Sequence, residues 1–282
     1  MNRRKIEERI FKSLMIGSVL IVLGSLALIL FTVVWRGLPA LNLEMLTQTP
    51  KGGYYLGGGG GILNAITGSL CLAGGATGLA LVISLPIAIY LQFYVSRSHY
   101  AAVIRLTLDV LWGIPSIVYG AFAFILMLWI GVRASLLGGI IALTLLELPI
   151  MTRGMDEALA MVPSALKEAS YSLGATRFET ALKVVVKQSI PGLLTATILA
   201  FGRGIGDAAS VLFTAGFTDR LPGSLFEPAA SLPLAIFFQL NTPFPVVQER
   251  AYASALVLTI IVLGLSMISR RLARELAEHV IR

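Results

Sequence analysis

Residues 162–192 read VPSALKEASYSLGATRFETALKVVVKQSIPG, and the folding of this stretch decides how the rest of the chain is read. It is the longest polar segment of an otherwise apolar sequence, with Lys167, Glu168, Arg177, Glu179, Lys183 and Lys187 spread along it. Its punctuation is that of two short helices joined by a turn. Pro163 and Ser164 suit a first helical turn, where a missing N–H costs nothing and a hydroxyl can cap. Gly174 supplies the residue that tolerates positive φ where a helix ends. Thr176-Arg177-Phe178-Glu179 has the spacing of a capping box, so a second helix is expected to start at Thr176. It is expected to stop before Pro191, because the residue ahead of a proline avoids the helical region. On that helix Phe178, Ala181, Leu182, Val185 and Val186 form one apolar stripe, with the charged residues largely on the other side. Pattern alone leaves two readings open: a solvated loop between membrane spans, or a folded hairpin that docks onto another protein.

The surrounding chain demands a bilayer. Of its 282 residues 56% are hydrophobic and only 13% charged, and several apolar windows reach the roughly twenty residues a spanning helix needs. The net charge of +7 does not point to nucleic acid, since the basic residues sit at the ends of apolar runs rather than in one patch with aromatics. The single cysteine, Cys71, forms no internal disulfide and is expected to be a small buried hydrophobe. His99 and His279 lie near span boundaries with no cysteine at metal spacing, and neither a metal nor a cofactor is expected on this chain. Met1–Lys12 is basic and precedes an apolar run, as in a secretory signal, but no small-residue cleavage site closes that run early. A retained span is expected.

Six spans follow, near 14–34, 63–94, 102–130, 134–151, 193–213 and 251–269, in an all-α polytopic fold. Pro86 and Pro115 lie inside the second and third and are expected to kink them, with Ser84, Ser116 and Tyr119 placed to satisfy the freed carbonyls. With both termini inside, sixteen Lys and Arg face the cytoplasm against five outside, which favours that orientation. The chain then divides into 1–61 (a first span and an outer glycine-rich loop), a 62–269 transmembrane body holding the hairpin, and a basic 270–282 tail. The run Gly57–Gly61 is no phosphate cradle, because Ile62 and Leu63 follow it and the chain holds no Gly-Lys pair. Flexibility before a span is its expected role.

Arg203 falls within the fifth span, where a charge costs at least about 2.5–3.5 kcal/mol. Asp207 lies four residues on, close enough to share a helix face. Either the two neutralise each other and hold helices in place, or they line a polar path on which Arg203 meets an anion and Asp207 sets its strength. Asp109 and Glu147, toward the inner ends of the third and fourth spans, are weaker candidates expected to snorkel to water. Arg153 is readable as a topology anchor.

The hairpin resembles the EAA loop of permease subunits in ATP-driven importers: Glu168-Ala169-Ser170, then Gly174, then Ile190-Pro191. Ser170 replaces that loop's usual alanine, and the leucine before its proline is missing. Residues 112–120, WGIPSIVYG, are similar to an element of phosphate permeases, as are Val162-Pro163-Ser164, Leu173-Gly174-Ala175-Thr176 and Pro191-Gly192-Leu193-Leu194-Thr195. Gly202-Arg203-Gly204-Ile205-Gly206-Asp207 resembles the arginine-bearing motif of their fifth span, although Ala208-Ala209-Ser210 follows where Thr-Ala-Pro is usual. This resemblance implies a type I ABC importer permease fold with a cytoplasmic coupling hairpin, in a bacterial or archaeal inner membrane, with both termini cytoplasmic. It implies phosphate transport without enzymatic activity on this chain. The partners implied are a second permease, ATPase subunits that bind the ATP, and a phosphate-binding protein. Carried onto this sequence, Arg203, Asp207, Ser116 and Tyr119 would line the path, and Pro163, Glu168, Ala169, Gly174 and Pro191 would couple to the ATPase. Another oxyanion (molybdate, sulfate or phosphonate) is the near alternative. A self-sufficient ion-coupled carrier would be a different class, but no duplicated half of the kind that supports one is visible. A scaffold without transport is argued against by the Arg203–Asp207 pair.

Overall fold

The helix that organises the molecule is the fourth expected span, and it is longer than its apolar run. In the computed structural model, which describes residues 3–96 and 98–277, it extends over Leu136–Ala160. In chain order the helices are α1 (Arg3–Gly37), α2 (Leu43–Thr47), α3 (Leu63–Phe93), α4 (His99–Trp112) and α5 (Ser116–Trp129). After α6 (Leu136–Ala160) come α7 (Ser164–Ser172), α8 (Arg177–Ile205), α9 (Leu232–Leu240) and α10 (Pro245–Ala277). Helices dominate because hydrocarbon offers the backbone no partner but itself. Helix α6 is central, with 72% of its most apolar window buried. Against it pack α3 and α8, which also touch each other; α10 backs α8, and α1 leans on α10. Lipid gives no hydrophobic drive between helices, so close approach of small side chains has to hold them. Accordingly α3 buries Ala65, Ala73, Ala76, Ala80 and Ala88.

Among the described residues five helices are long and apolar enough to cross a membrane, and the third expected span is a broken pair. Helices α4 and α5 meet at 101° across Gly113–Pro115, where a single kinked helix over 102–130 is expected from sequence. Pro115 caps α5 from its N-terminus and removes the N–H that would have reached the carbonyl of Leu111. Tyr119 Oη donates to that carbonyl at 2.8 Å, which is the service expected of it. Pro86 leaves α3 unbroken, and Ser84 is engaged elsewhere, accepting from Thr152 Oγ1 at 2.9 Å. Cys71 is exposed on α3 rather than buried.

The glycine run is also ordered by its surroundings rather than loose. Gly57 and Gly60 take positive φ, and the main chain closes back on itself through Gly58 N to Gly53 O at 2.7 Å. Into this ring reaches Arg250 from the start of α10. It donates to the carbonyls of Tyr54 (3.0 Å) and Gly58 (2.7 Å) and lies over the Tyr54 ring at 4.6 Å. Burial pushes the Tyr54 phenol up to about 12, against the pull of Arg250. Met45, Ile62, Ala230, Leu232 and Val257 pack around it, so α2, the run and α9 form one cap at that end of the bundle. The tail expected over 270–282 continues α10 as far as Ala277, and 278–282 lie outside the described residues, as do Arg97 and His279.

Candidate functional site

The turn of the hairpin is built as its sequence spells it, but the start of α7 is not: Pro163 holds the N-cap position and no side chain caps there, so the hydroxyl cap expected of Ser164 is not formed. Gly174 follows that helix with φ +82°. Its N–H donates to Tyr171 O at 2.9 Å while Ala175 N donates to Ser170 O at 3.2 Å, the paired closure of a Schellman turn. Thr176 Oγ1 then accepts from Glu179 N at 3.2 Å, and Glu179 Oε2 accepts from Thr176 N at 3.1 Å, completing the capping box. Ser170 and Thr180 share a buried hydroxyl contact at 2.9 Å that pins the two arms together. The expected stripe divides. Ala181 and Val185 are buried, Val185 in the core with Met155 and Leu159, whereas Phe178 and Leu182 are exposed. Leu173 is 89% exposed and Met161 82%, so the hairpin presents bare apolar side chains among its charges.

Pro191 does not end the second helix. Helix α8 runs unbroken from Arg177 to Ile205, so the hairpin's second arm and the fifth span are one rod. Residues Thr180–Val186 within it are π-helical, a widened stretch that ends five residues before the proline. Pro163, Glu168, Ala169 and Gly174 lie exposed together on the hairpin; Pro191 sits apart from them, half-buried in the rod.

At the far end, Arg203 occupies the last turn of α8 rather than the interior of a span reaching residue 213. Gly202, Gly204 and Gly206 weaken the helix there, and the chain leaves it as turns. Its guanidinium is half-exposed, and its Nη2 lies 4.0 Å from Asp207 Oδ1, a loose pairing. Asp207 is almost fully buried and has other work: its Oδ2 accepts from Ser210 N at 2.8 Å and from Ser210 Oγ. The backbone of Ser210 presses on Gly120 of α5, and half-buried Ser116 lies one turn earlier on that helix. Tyr119 is buried among Val211, Leu136 and Leu143 with its hydroxyl committed to Leu111, so it supports this region from behind. The arrangement is a half-open cation beside a fixed carboxylate, able to offer a planar fork to an oxyanion.

Two groups of charges were not placed correctly by sequence. Glu147, expected to snorkel, lies midway along α6 with no exposure, because that helix runs nine residues past Met151. Thr77 Oγ1 donates to its Oε2 at 2.8 Å. Arg153 is no lone anchor. Asp156 is held by Arg105 Nε at 2.7 Å, Arg105 Nη2 at 3.1 Å, Gln92 Nε2 at 2.8 Å and Arg153 Nη1 at 3.3 Å. Arg153 also donates to Asp109 at 2.6 Å, so Asp109 is paired rather than merely reaching for water. This network straps α3 and α4 to the end of α6 that leads into the hairpin. The Arg153–Asp156 and Arg153–Glu157 spacings were its readable signs. Among the described residues no group of three or more His, Cys, Asp or Glu is placed to hold a metal.

Comparison with known proteins fits this geometry. The family model described as the binding-protein-dependent transport system inner membrane component matches residues 84–282. The phosphate transport system permease protein PstA of Haemophilus influenzae is 34% identical over 268 residues, 95% of this chain and 94% of that protein. Its namesake in Yersinia pestis is 35% identical over 268 residues, covering 95% and 90%. Among solved structures, an inward-facing MetNI methionine ABC transporter chain superposes with a TM-score of 0.62 at 19% identity, over 76% of this chain and 95% of that one. A bacterial ABC transporter chain involved in alginate import gives 0.53 at 17% identity, over 93% and 99%. The fold is that of a type I ABC importer permease, in a multi-pass inner-membrane protein. By its matched sequence, the chain belongs to the family of binding-protein-dependent transport system inner membrane components.

Proposed function

We propose that this chain is the transmembrane permease subunit of an ATP-driven inorganic phosphate importer, forming half of the translocation path. The observation that carries the reading is sustained identity with phosphate permeases over 95% of the chain. A second permease completes the path, ATPase subunits bind and hydrolyse the ATP, and a phosphate-binding protein delivers the anion. Both termini and the hairpin face the cytoplasm, as the distribution of Lys and Arg favours.

The physics of the cycle follows from one continuous rod. Closure of the ATPase pushes on the surface made by Pro163, Glu168, Ala169, Gly174 and the bare Leu173 and Phe178. That surface is continuous with α8, so the push reaches Arg203 through a helix rather than through a loop. Arg203 grips a tetrahedral oxyanion with two parallel hydrogen bonds, and Asp207 keeps the grip weak enough for release. Ser116, on the α5 face that meets the Asp207–Ser210 turn, adds a hydroxyl beside the same path. Replacing Arg203 by Gln should remove phosphate uptake from membranes while the complex still assembles. Uptake unchanged by that substitution would take Arg203 off the path, and uptake of molybdate or sulfate in place of phosphate would change the cargo.

A further inference from the structure

Glu147 is fully buried where α3, α6 and α8 meet, and one of its oxygens is unused. Thr77 takes Oε2, but Oε1 has no hydrogen-bond partner among the described residues. It lies against the bare backbone of Gly204, where any Cβ would collide with it. A buried carboxyl left half-satisfied is costly, and intramembrane acids of this kind usually serve a function. The other buried side chains with free polar atoms include Gln48, Asn64 and Gln239, in helix and cap regions away from Arg203.

The residue next to Gly204 is Arg203, loosely paired and half-exposed. Asp207 cannot follow it, because Ser210 holds its carboxylate in the turn beyond the helix. Neighbouring residues of an α-helix differ by about 100° and 1.5 Å, so a one-residue shift of α8 brings Arg203 to the place Gly204 now occupies. The helix carries such a shift in store. Its π stretch at Thr180–Val186 holds one residue more per turn than an α-helix, and tightening it turns everything beyond by one position. The sense of the turn is the required one, since each later residue advances in angle and takes the seat of its successor.

We propose that Glu147 is a second, buried seat for the Arg203 guanidinium, reached when the Thr180–Val186 stretch tightens and the end of α8 advances by one residue. The inference rests on the phosphate-import reading above and deepens it. Arg203 paired with Glu147 has no fork left for an oxyanion, so the seat strips phosphate from Arg203 and commits it to release. Glu147 acts through Arg203 and is a positioning residue. The same turn carries Leu199 into the place of Ala200, which is buried beside Met151 and Met155, so the seat opens only while α8 is lifted from α6. The push that lifts it enters at the hairpin, on the other side of the π stretch.

Two cysteine pairs test this in the importer assembled with its partner subunits, with Cys71 replaced by Ser. Glu147→Cys with Gly204→Cys should cross-link in one nucleotide state, and Glu147→Cys with Arg203→Cys in the other. Cross-linking of the 147/203 pair in no state, or equally in all states, overturns the proposal. Glu147→Gln keeps the shape and the Thr77 hydrogen bond but removes the group that can ionise opposite Arg203. It should assemble normally and lower inorganic phosphate uptake about tenfold or more. Normal uptake by that variant also overturns the proposal. If the unaltered complex moves no phosphate at all, the functional reading falls instead, and the cross-links still judge the seat by themselves.

Discussion

At the scale of single residues, the molecule depends on a few charges placed where water is scarce. Asp156 gathers Arg105, Arg153 and Gln92 from three helices, and taking its charge away leaves the two guanidiniums facing each other. Breaking a fully buried pair costs roughly 3–5 kcal/mol; the arginines here keep some solvent, so Asp156→Asn should cost about 2 kcal/mol, read as a lowered Tm in detergent. Gly204→Ala should destabilise by about 1–3 kcal/mol through its collision with Glu147, and Glu147→Ala in the same chain should recover most of that loss. Additive losses in the double variant would refute the contact. Arg203 and Asp207 could be picked out from sequence because a charge inside an apolar run is conspicuous. Glu147 and Asp156 could be seen but not interpreted, because their partners Thr77, Gln92 and Arg105 lie 51 to 70 residues away.

At the scale of elements, the hairpin is the part whose local rules agree with one another. Gly174 at φ +82° excludes a β-branched side chain, so Gly174→Val should cost about 1–3 kcal/mol locally and weaken the closure of α7 onto α8. The measurement is retention of the ATPase partner on purification, together with proteolysis near residue 174. A variant that purifies with its partner and drives uptake normally would contradict the coupling role. Thr176→Ala should cost about 1 kcal/mol by losing the cap. Pro191 shows the limit of local rules. A proline removes a helical hydrogen bond and tends to end a helix, yet in α8 the helix carries on through Pro191, half-buried where it packs. Pro115, by contrast, stands two residues after Gly113, and its span is broken there.

At the scale of the whole molecule, the cap and the hairpin lie at the two ends of α6 and α8, and the orientation of that axis in the membrane is open to direct test. A cysteine at Leu173 should react with a membrane-impermeant thiol reagent only from the cytoplasmic side, with Cys71 first replaced by Ser. Arg250→Ala should loosen the cap, expose residues 43–61 to protease and leave the hairpin intact. Sequence by itself determined that the chain is helical and membrane-spanning, where its polar hairpin lies, and how that hairpin is capped. These follow from hydrophobic run length and from hydrogen bonds between near neighbours, which the order of residues states outright. Only the tertiary structure decided that the glycine run closes around Arg250, that α6 outlasts its apolar window, that α8 is a single rod, and that Glu147 is buried against Gly204. Each of these depends on a contact between segments far apart in the chain, and the free energy of such a contact belongs to neither segment alone.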